Sequence, residues 1–183
     1  MIITPQSLPD VLLIQPEVHR DARGCFLETY RQSVLDAAVG RELRFVQDNQ
    51  SESHRHVLRG LHYQTSEPQG KLLHVTEGEI YDVAVDMRQD SPTFGQWAAQ
   101  RLSSDNYLQL WIPEGFAHGF LVMSERAVVS YKTTAYYHAG SQQCVRWDDP
   151  ELAVAWPLAG IPLLSAADQR GLPLSQAPKV RIG

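Results

Sequence analysis

Residues 45–134 read as a succession of short strands, and this restricts the fold more than anything else in the chain. Residues 57–63 and 71–75 are two such segments, separated by T-S-E-P-Q-G. A tight turn at Glu77 and Gly78 follows. Beyond it Tyr81, Val83 and Val85 alternate with Asp82, Ala84 and Asp86, the period-2 pattern of a strand. Ser91, Pro92 and Gly95 interrupt the chain, and residues 96–102, 107–112, 116–123 and 127–134 supply further strands. Pro113 and Gly115 mark one turn, Ser124 and Arg126 another. Short strands with turn residues at regular spacing predict an all-β sandwich, jelly roll or small barrel.

The flanks add less. Residues 11–14 are an apolar run that reads as a strand, residues 21–24 carry turn chemistry, and residues 26–30 resume as a strand. Residues 31–39 are the best helix candidate: Val34, Leu35, Ala38 and Val39 share one face, and Gly40 is a plausible stop. Beyond Asp149 and Pro150 the chain turns irregular, with Pro157, Pro162, Pro173 and Pro178, and is expected to pack over the barrel. With no repeat or linker, residues 1–183 are expected to form one domain.

Composition excludes some classes of function. The net charge of −5 argues against a general nucleic-acid binder, which shows a basic face. No apolar run approaches the length that spans a bilayer. The N-terminal residues lack the pattern of a signal peptide, and two cysteines are too few for a disulfide framework, so cytoplasmic residence is expected.

Polar groups crowd the strands at Q-D-N-Q-S-E-S-H-R-H-V-L-R-G-L-H-Y-Q-T-S-E-P-Q-G-K-L-L, where Gln47, Asn49, Arg59, His62 and Lys71 stand among core-type residues. Of the seven histidines, His62 and His118 each lie near glycine in a strand, in R-G-L-H-Y and G-F-A-H-G-F. Glycine there marks a bulge or a close ligand approach. A histidine satisfied at a barrel end is the ordinary alternative. Lys71 reads either as a snorkelling lysine or as a cation facing an oxyanion. Arg23 and Arg59 both adjoin glycine, and a guanidinium pair suits a diphosphate. Tyr131 shares a face with Val129 and Thr133, as a core tyrosine or a proton donor. Asp168 reads as a turn or cap residue, and sequence alone does not pair it with His62. The His54 and His56 pair lacks the third histidine and carboxylate of a metal site, and two solvated loop histidines account for it better. Cys25 and Cys144 read as structural thiols rather than nucleophiles.

Longer motifs go further. F-V-Q-D-N-Q-S, V-L-R-G-L-H-Y-Q, D-V-A-V-D-M-R, S-P-T-F-G-Q-W, W-I-P-E-G-F-A-H-G-F, Y-K-T-T-A-Y-Y and R-W-D-D-P occur in that order. Together they resemble the dTDP-4-dehydrorhamnose 3,5-epimerase family over nearly the whole chain. The resemblance implies a cupin-type jelly roll, a double-stranded β-helix barrel with a few short peripheral helices. It also implies a homodimer, no metal or other cofactor, and a dTDP-linked 4-keto-6-deoxyhexose substrate. By the same resemblance His62 is the base, Asp168 its partner, Tyr131 the proton donor, and Lys71 and His118 lie around the sugar. Arg23, Glu28, Gln47, Asp48, Asn49 and Arg59 correspond to nucleotide-sugar-binding positions. Gln142 stands where the family usually has a glutamate and Ala167 where a lysine is usual. Both bear on ligand binding rather than on reaction type.

The expected reaction inverts C3 and C5 through an enolate and leads to dTDP-L-rhamnose. Its rivals are a C3-only or C5-only epimerase, a metal-dependent cupin dioxygenase using His54 and His56, and a sugar-nucleotide-binding module without catalysis.

Overall fold

The computed structural model describes residues 1–182. Among them the chain forms, in order, β1 (Ile2–Pro5), β2 (Leu12–Gln15), β3 (Val18–Asp21), β4 (Gly24–Leu27), α1 (Gln32–Val39) and β5 (Gln47–His54). There follow β6 (Leu58–Gln64), β7 (Lys71–Glu77), β8 (Glu79–Asp86), β9 (Trp97–Ser103) and β10 (Gln109–Ile112). The last strands are β11 (Phe116–Val122), β12 (Arg126–Thr133) and β13 (Gln142–Cys144). One sheet has the order β1-β2-β10-β7-β12-β5 and the other β13-β6-β11-β8-β9, while β3 and β4 make a separate hairpin. All of these pairings are antiparallel. This is the cupin-type jelly roll that the resemblance implied.

Alternation explains how the two sheets meet. Leu73 and Val75 of β7, Leu110 and Ile112 of β10, and Ala127 and Val129 of β12 form one buried cluster. Ile80 and Ala84 of β8, Leu102 of β9, and Phe116, Phe120 and Val122 of β11 complete that cluster from the opposite sheet. Residues of the other parity face outward and need cover, because burying each large apolar side chain stabilises by about 1.5–3 kcal/mol. Leu72 and Trp111 receive it from Leu35 of α1 and from Leu43. Leu61, Tyr63, Val83 and Val85 receive it from Leu152, Leu174, Ala177 and Val180 of the tail. The expected packing of the tail over the barrel is therefore met, and its docking surface is the outer face of the five-stranded sheet.

Most elements lie within a residue or two of their expected places. The helix begins one residue later than read and ends at Gly40, whose φ of 80° is the left-handed conformation of a helix terminator. The expected strand at residues 26–30 is instead centred on β4, because β3 and β4 pair tightly around Ala22 and Arg23. The Q-D-N-Q-S-E-S-H run carries no apolar alternation, yet it forms the eight-residue edge strand β5. His54 and His56 are exposed around the turn that follows it.

Leu73 is fully buried between the sheets. Leu73→Ala is expected to cost about 2–5 kcal/mol of unfolding free energy. Urea denaturation measures this, and a loss within the range of surface substitutions would contradict the proposed core.

Candidate active site

The barrel mouth holds a pocket of about 210 Å³ whose walls come from both sheets. On β5 the inward parity carries Gln47, Asn49 and Ser51 to it. On β12 the same rule carries Tyr131, which pairs with Asn49 on one side and Leu73 on the other. Lys71 opens β7 on the parity of Leu73 and Val75, so its ammonium enters the barrel. Gln142 of β13 lies opposite Gln64, and both line the pocket.

The opposing wall is shaped by a bulge. His118 of β11 pairs with His62, but Phe120 pairs with Arg59, so β6 carries one extra residue there. Without the bulge Arg59 and His62 would face opposite sides; with it both line the pocket. Gly60 and Gly119 make the close approach possible. A Cβ on Gly60 would lie 2.6 Å from the His118 carbonyl oxygen, and one on Gly119 2.6 Å from that of Arg59. Gly60 also has a φ of 114°, outside the range favoured by other residues. Of the glycines read as marking a bulge or a close approach, Gly60 lies in the bulge and Gly119 faces it across the ladder.

Each pocket histidine is backed by a carboxylate. His62 Nε2 lies 2.5 Å from Asp168 Oδ1. Asp168 begins a short 3-10 helix in the tail, is only 3% exposed, and accepts a 2.7 Å hydrogen bond from the Ser165 hydroxyl at its other oxygen. Burial alone raises its pKa. The hydrogen bonds of His62 and Ser165 outweigh this and hold the carboxyl below its ordinary value. A carboxylate can only accept, so Nε2 carries the proton and Nδ1 of neutral His62 keeps its lone pair.

His118 Nε2 likewise meets Asp82 Oδ2 at 2.8 Å, with Asp82 fully buried. Asp82 Oδ1 has no protein partner. Burial pushes the Lys71 ammonium down to about 8, while the charge of Asp82 acts in the opposite direction. Lys71 Nζ donates to the His62 carbonyl at 3.4 Å. Burial lifts the Tyr131 phenol above its ordinary value, and nearby Arg59 draws it partly back.

The sequence-predicted residues thus divide. Gln47, Asn49, Arg59, His62, Lys71, His118, Tyr131 and Gln142 line one pocket, with Asp168 behind His62. Arg23, Glu28 and Asp48 do not join them within the chain. Arg23 tips the β3–β4 hairpin and pairs with Asp21, and Glu28 pairs with Arg31 just beyond β4. Asp48 has the other parity on β5 and bonds Lys132 at 3.0 Å on the outer face. Ala167 is exposed beside Asp168. The Gln142 side-chain oxygen is buried in the pocket wall without a protein partner. Asp82, Ser51, Gln64, Gln69 and Tyr137 join the site without having stood out in the sequence. For Asp82 the signal was present, since it shares the inner face of β8 with Ile80 and Ala84. Tyr137 lies beyond β12 in irregular chain, where periodicity says nothing.

A jelly-roll barrel with an imidazole–carboxylate pair, a buried lysine and a tyrosine around one pocket defines a class of acid–base site. The family model of dTDP-4-dehydrorhamnose 3,5-epimerase matches residues 5–176. The chain is 51% identical over 177 residues to the dTDP-4-dehydrorhamnose 3,5-epimerase of Pseudomonas aeruginosa, covering 97% of this chain and 98% of that one. It is 49% identical over 178 residues to that of Salmonella typhimurium, covering 97% of each. Among solved structures, dTDP-6-deoxy-D-glucose-3,5-epimerase from Legionella pneumophila, in complex with dTDP-4-keto-L-rhamnose, has a TM-score of 0.96 at 43% identity. That comparison covers 100% of this chain and 98% of the other. The chain belongs to the dTDP-4-dehydrorhamnose 3,5-epimerase family.

The Asp168 linkage has a definite sign. Its folded-state pKa lies below the ordinary 3.8, so its stabilisation is complete above that value and lost as pH falls through the folded-state value. Asp168→Asn is expected to lower stability at neutral pH by about 1–3 kcal/mol and to flatten the acid limb of the stability profile. Urea titrations at neutral and acidic pH test this; parallel acid limbs in the two proteins would contradict it.

Proposed function

We propose that this protein is an isomerase that inverts C3 and C5 of dTDP-4-dehydro-6-deoxy-D-glucose, giving dTDP-4-dehydro-L-rhamnose for dTDP-L-rhamnose biosynthesis. The observation that carries the reading is the opposition of His62 and Tyr131 across one pocket. His62 stands on the five-stranded sheet and Tyr131 on the six-stranded sheet. Inverting a carbon requires removing a proton from one face and returning one to the other.

The chemistry follows from the C4 ketone, which acidifies the protons at C3 and C5 because loss of either gives an enolate. His62 takes the proton at Nδ1, and Asp168 stabilises the imidazolium that forms. Lys71 and His118 face the developing oxyanion, where a desolvated cation is worth far more than in water. Tyr131 returns a proton from the opposite wall. Gln47, Asn49, Arg59 and Gln142 hold the nucleotide sugar in register, so that its binding energy is used at the sugar.

In this reading the protein is a single-domain, cytoplasmic homodimer. Two free cysteines suit a reducing compartment, and no helix among the described residues is long and apolar enough to cross a membrane. The dimer gives Arg23 and Glu28 their role. Each sits at or beside the exposed β3–β4 hairpin, away from the pocket of its own chain, and contributes to the partner's site.

The test is incubation with dTDP-4-keto-6-deoxyglucose in deuterated water. Deuterium at both C3 and C5 is expected; label at one carbon alone would favour a mono-epimerase, and label at neither would overturn the reading. Tyr131→Phe should retain exchange but lose inverted product, and normal inversion by that variant would remove Tyr131 as the acid. The Lys71 cation is lost as pH rises through about 8, so kcat/KM should fall above that pH. A Lys71→Met variant, already slow, should lack that limb.

A further inference from the structure

Cys144 has no role in the proton transfer, yet it stands beside it. On β13 it pairs directly with His62. Leu61 and Val145 exchange both backbone hydrogen bonds. The adjacent pair, His62 and Cys144, is therefore a non-hydrogen-bonded one, in which side chains stand closer. Leu61 and Val145 pack outward beneath the tail, so His62 and Cys144 point inward. The Cys144 sulfur lies 3.9 Å from Asp168 Oδ1, the same oxygen that His62 Nε2 meets at 2.5 Å. The ligand atoms of the three residues all lie within 4.8 Å of one another.

We propose that His62, Cys144 and Asp168 form an inhibitory binding site for a zinc ion. One imidazole nitrogen, one sulfur and one carboxylate oxygen make a zinc donor set, with bonds of about 2.0–2.3 Å. Three protein ligands leave a fourth position for water on the pocket side, where His62 is 31% exposed. The sulfur donor selects a borderline or soft ion over magnesium or calcium.

The proton balance is simple. In the metal-free protein Cys144 carries a thiol proton directed at Asp168 Oδ1, 3.9 Å from the sulfur. Zinc displaces the thiol proton to solvent. Neutral His62 keeps its single proton, which moves from Nε2 to Nδ1, and Asp168 is already ionised. One proton leaves per ion bound. With Nε2 on the metal and Nδ1 protonated, His62 has no lone pair for a substrate proton. Metal binding thus occupies the base and its carboxylate in one step.

Binding can be tested without substrate, independently of the epimerase reading; only the inhibition rests on that reading. The full-length protein is titrated with Co²⁺, whose bond to thiolate gives a near-ultraviolet charge-transfer band, and then with Zn²⁺. One Co²⁺ per chain with that band, displaced by Zn²⁺, is expected for the wild type and for Cys25→Ser. Cys144→Ser should lose the band and bind Zn²⁺ at least about tenfold more weakly, since even outer-shell losses cost about 10–100-fold. In the deuterium assay Zn²⁺ should stop exchange by the wild type and a chelator restore it, while Cys144→Ser keeps its metal-free rate and resists the ion. Cys144→Ala is the second variant should the serine perturb folding. No band in the wild type, a band that survives in Cys144→Ser, or equal zinc sensitivity of both proteins would overturn the site. Metal binding as described by a protein without exchange activity would support the site and fault the epimerase reading.

Discussion

The short contact between His62 and Asp168 joins residues 106 positions apart in the sequence, and the rest of the site depends on it. His62 is built into a bulged central strand, whereas Asp168 is delivered by an irregular tail. A buried carboxylate without partners would be costly, and here the imidazole and the Ser165 hydroxyl satisfy it. The bond also fixes which imidazole nitrogen is free. Tail docking, carboxylate desolvation and the orientation of the imidazole are therefore one problem with one solution. The apolar residues Leu152, Leu174, Ala177 and Val180 hold the tail against the sheet.

A second imidazole–carboxylate pair lies directly across the β6–β11 ladder, and it differs in kind. Asp82 comes from the neighbouring strand β8 rather than from the tail, and one of its oxygens lacks a protein partner. Its charge opposes the loss of the Lys71 proton that burial favours. In the proposed reaction the pair at His62 accepts a proton, and the group of His118, Asp82 and Lys71 holds positive charge against an oxyanion. The two dyads, similar in composition, differ in their neighbours: a buried ammonium stands beside the one and a thiol beside the other.

Much of the barrel was legible in the sequence because alternation is a local signal. The Tyr81, Val83 and Val85 pattern gives β8 directly, and the glycines beside His62 and His118 announce the bulge. The polar strand β5 was not legible as such. As a sheet edge it needs no apolar stripe, and its inward Gln47, Asn49 and Ser51 serve the pocket rather than the core. The partnership of His62 with Asp168 was legible only through family resemblance, since no local rule spans the tail. The separation of Arg23, Glu28 and Asp48 from the pocket was not legible at all. It depends on strand parity for Asp48 and on the path of a hairpin for the other two. The closeness of Cys144 to His62 depends on the register of β13, which three residues in an irregular region do not reveal.

The central claim is that one imidazole, oriented by Asp168, removes the protons at both carbons. Solvent deuterium incorporation by His62→Ala, measured separately at C3 and C5 while dTDP binding is checked by calorimetry, tests it most directly. The account predicts retained nucleotide binding with no incorporation at either carbon. Incorporation at either carbon at the wild-type rate would contradict it.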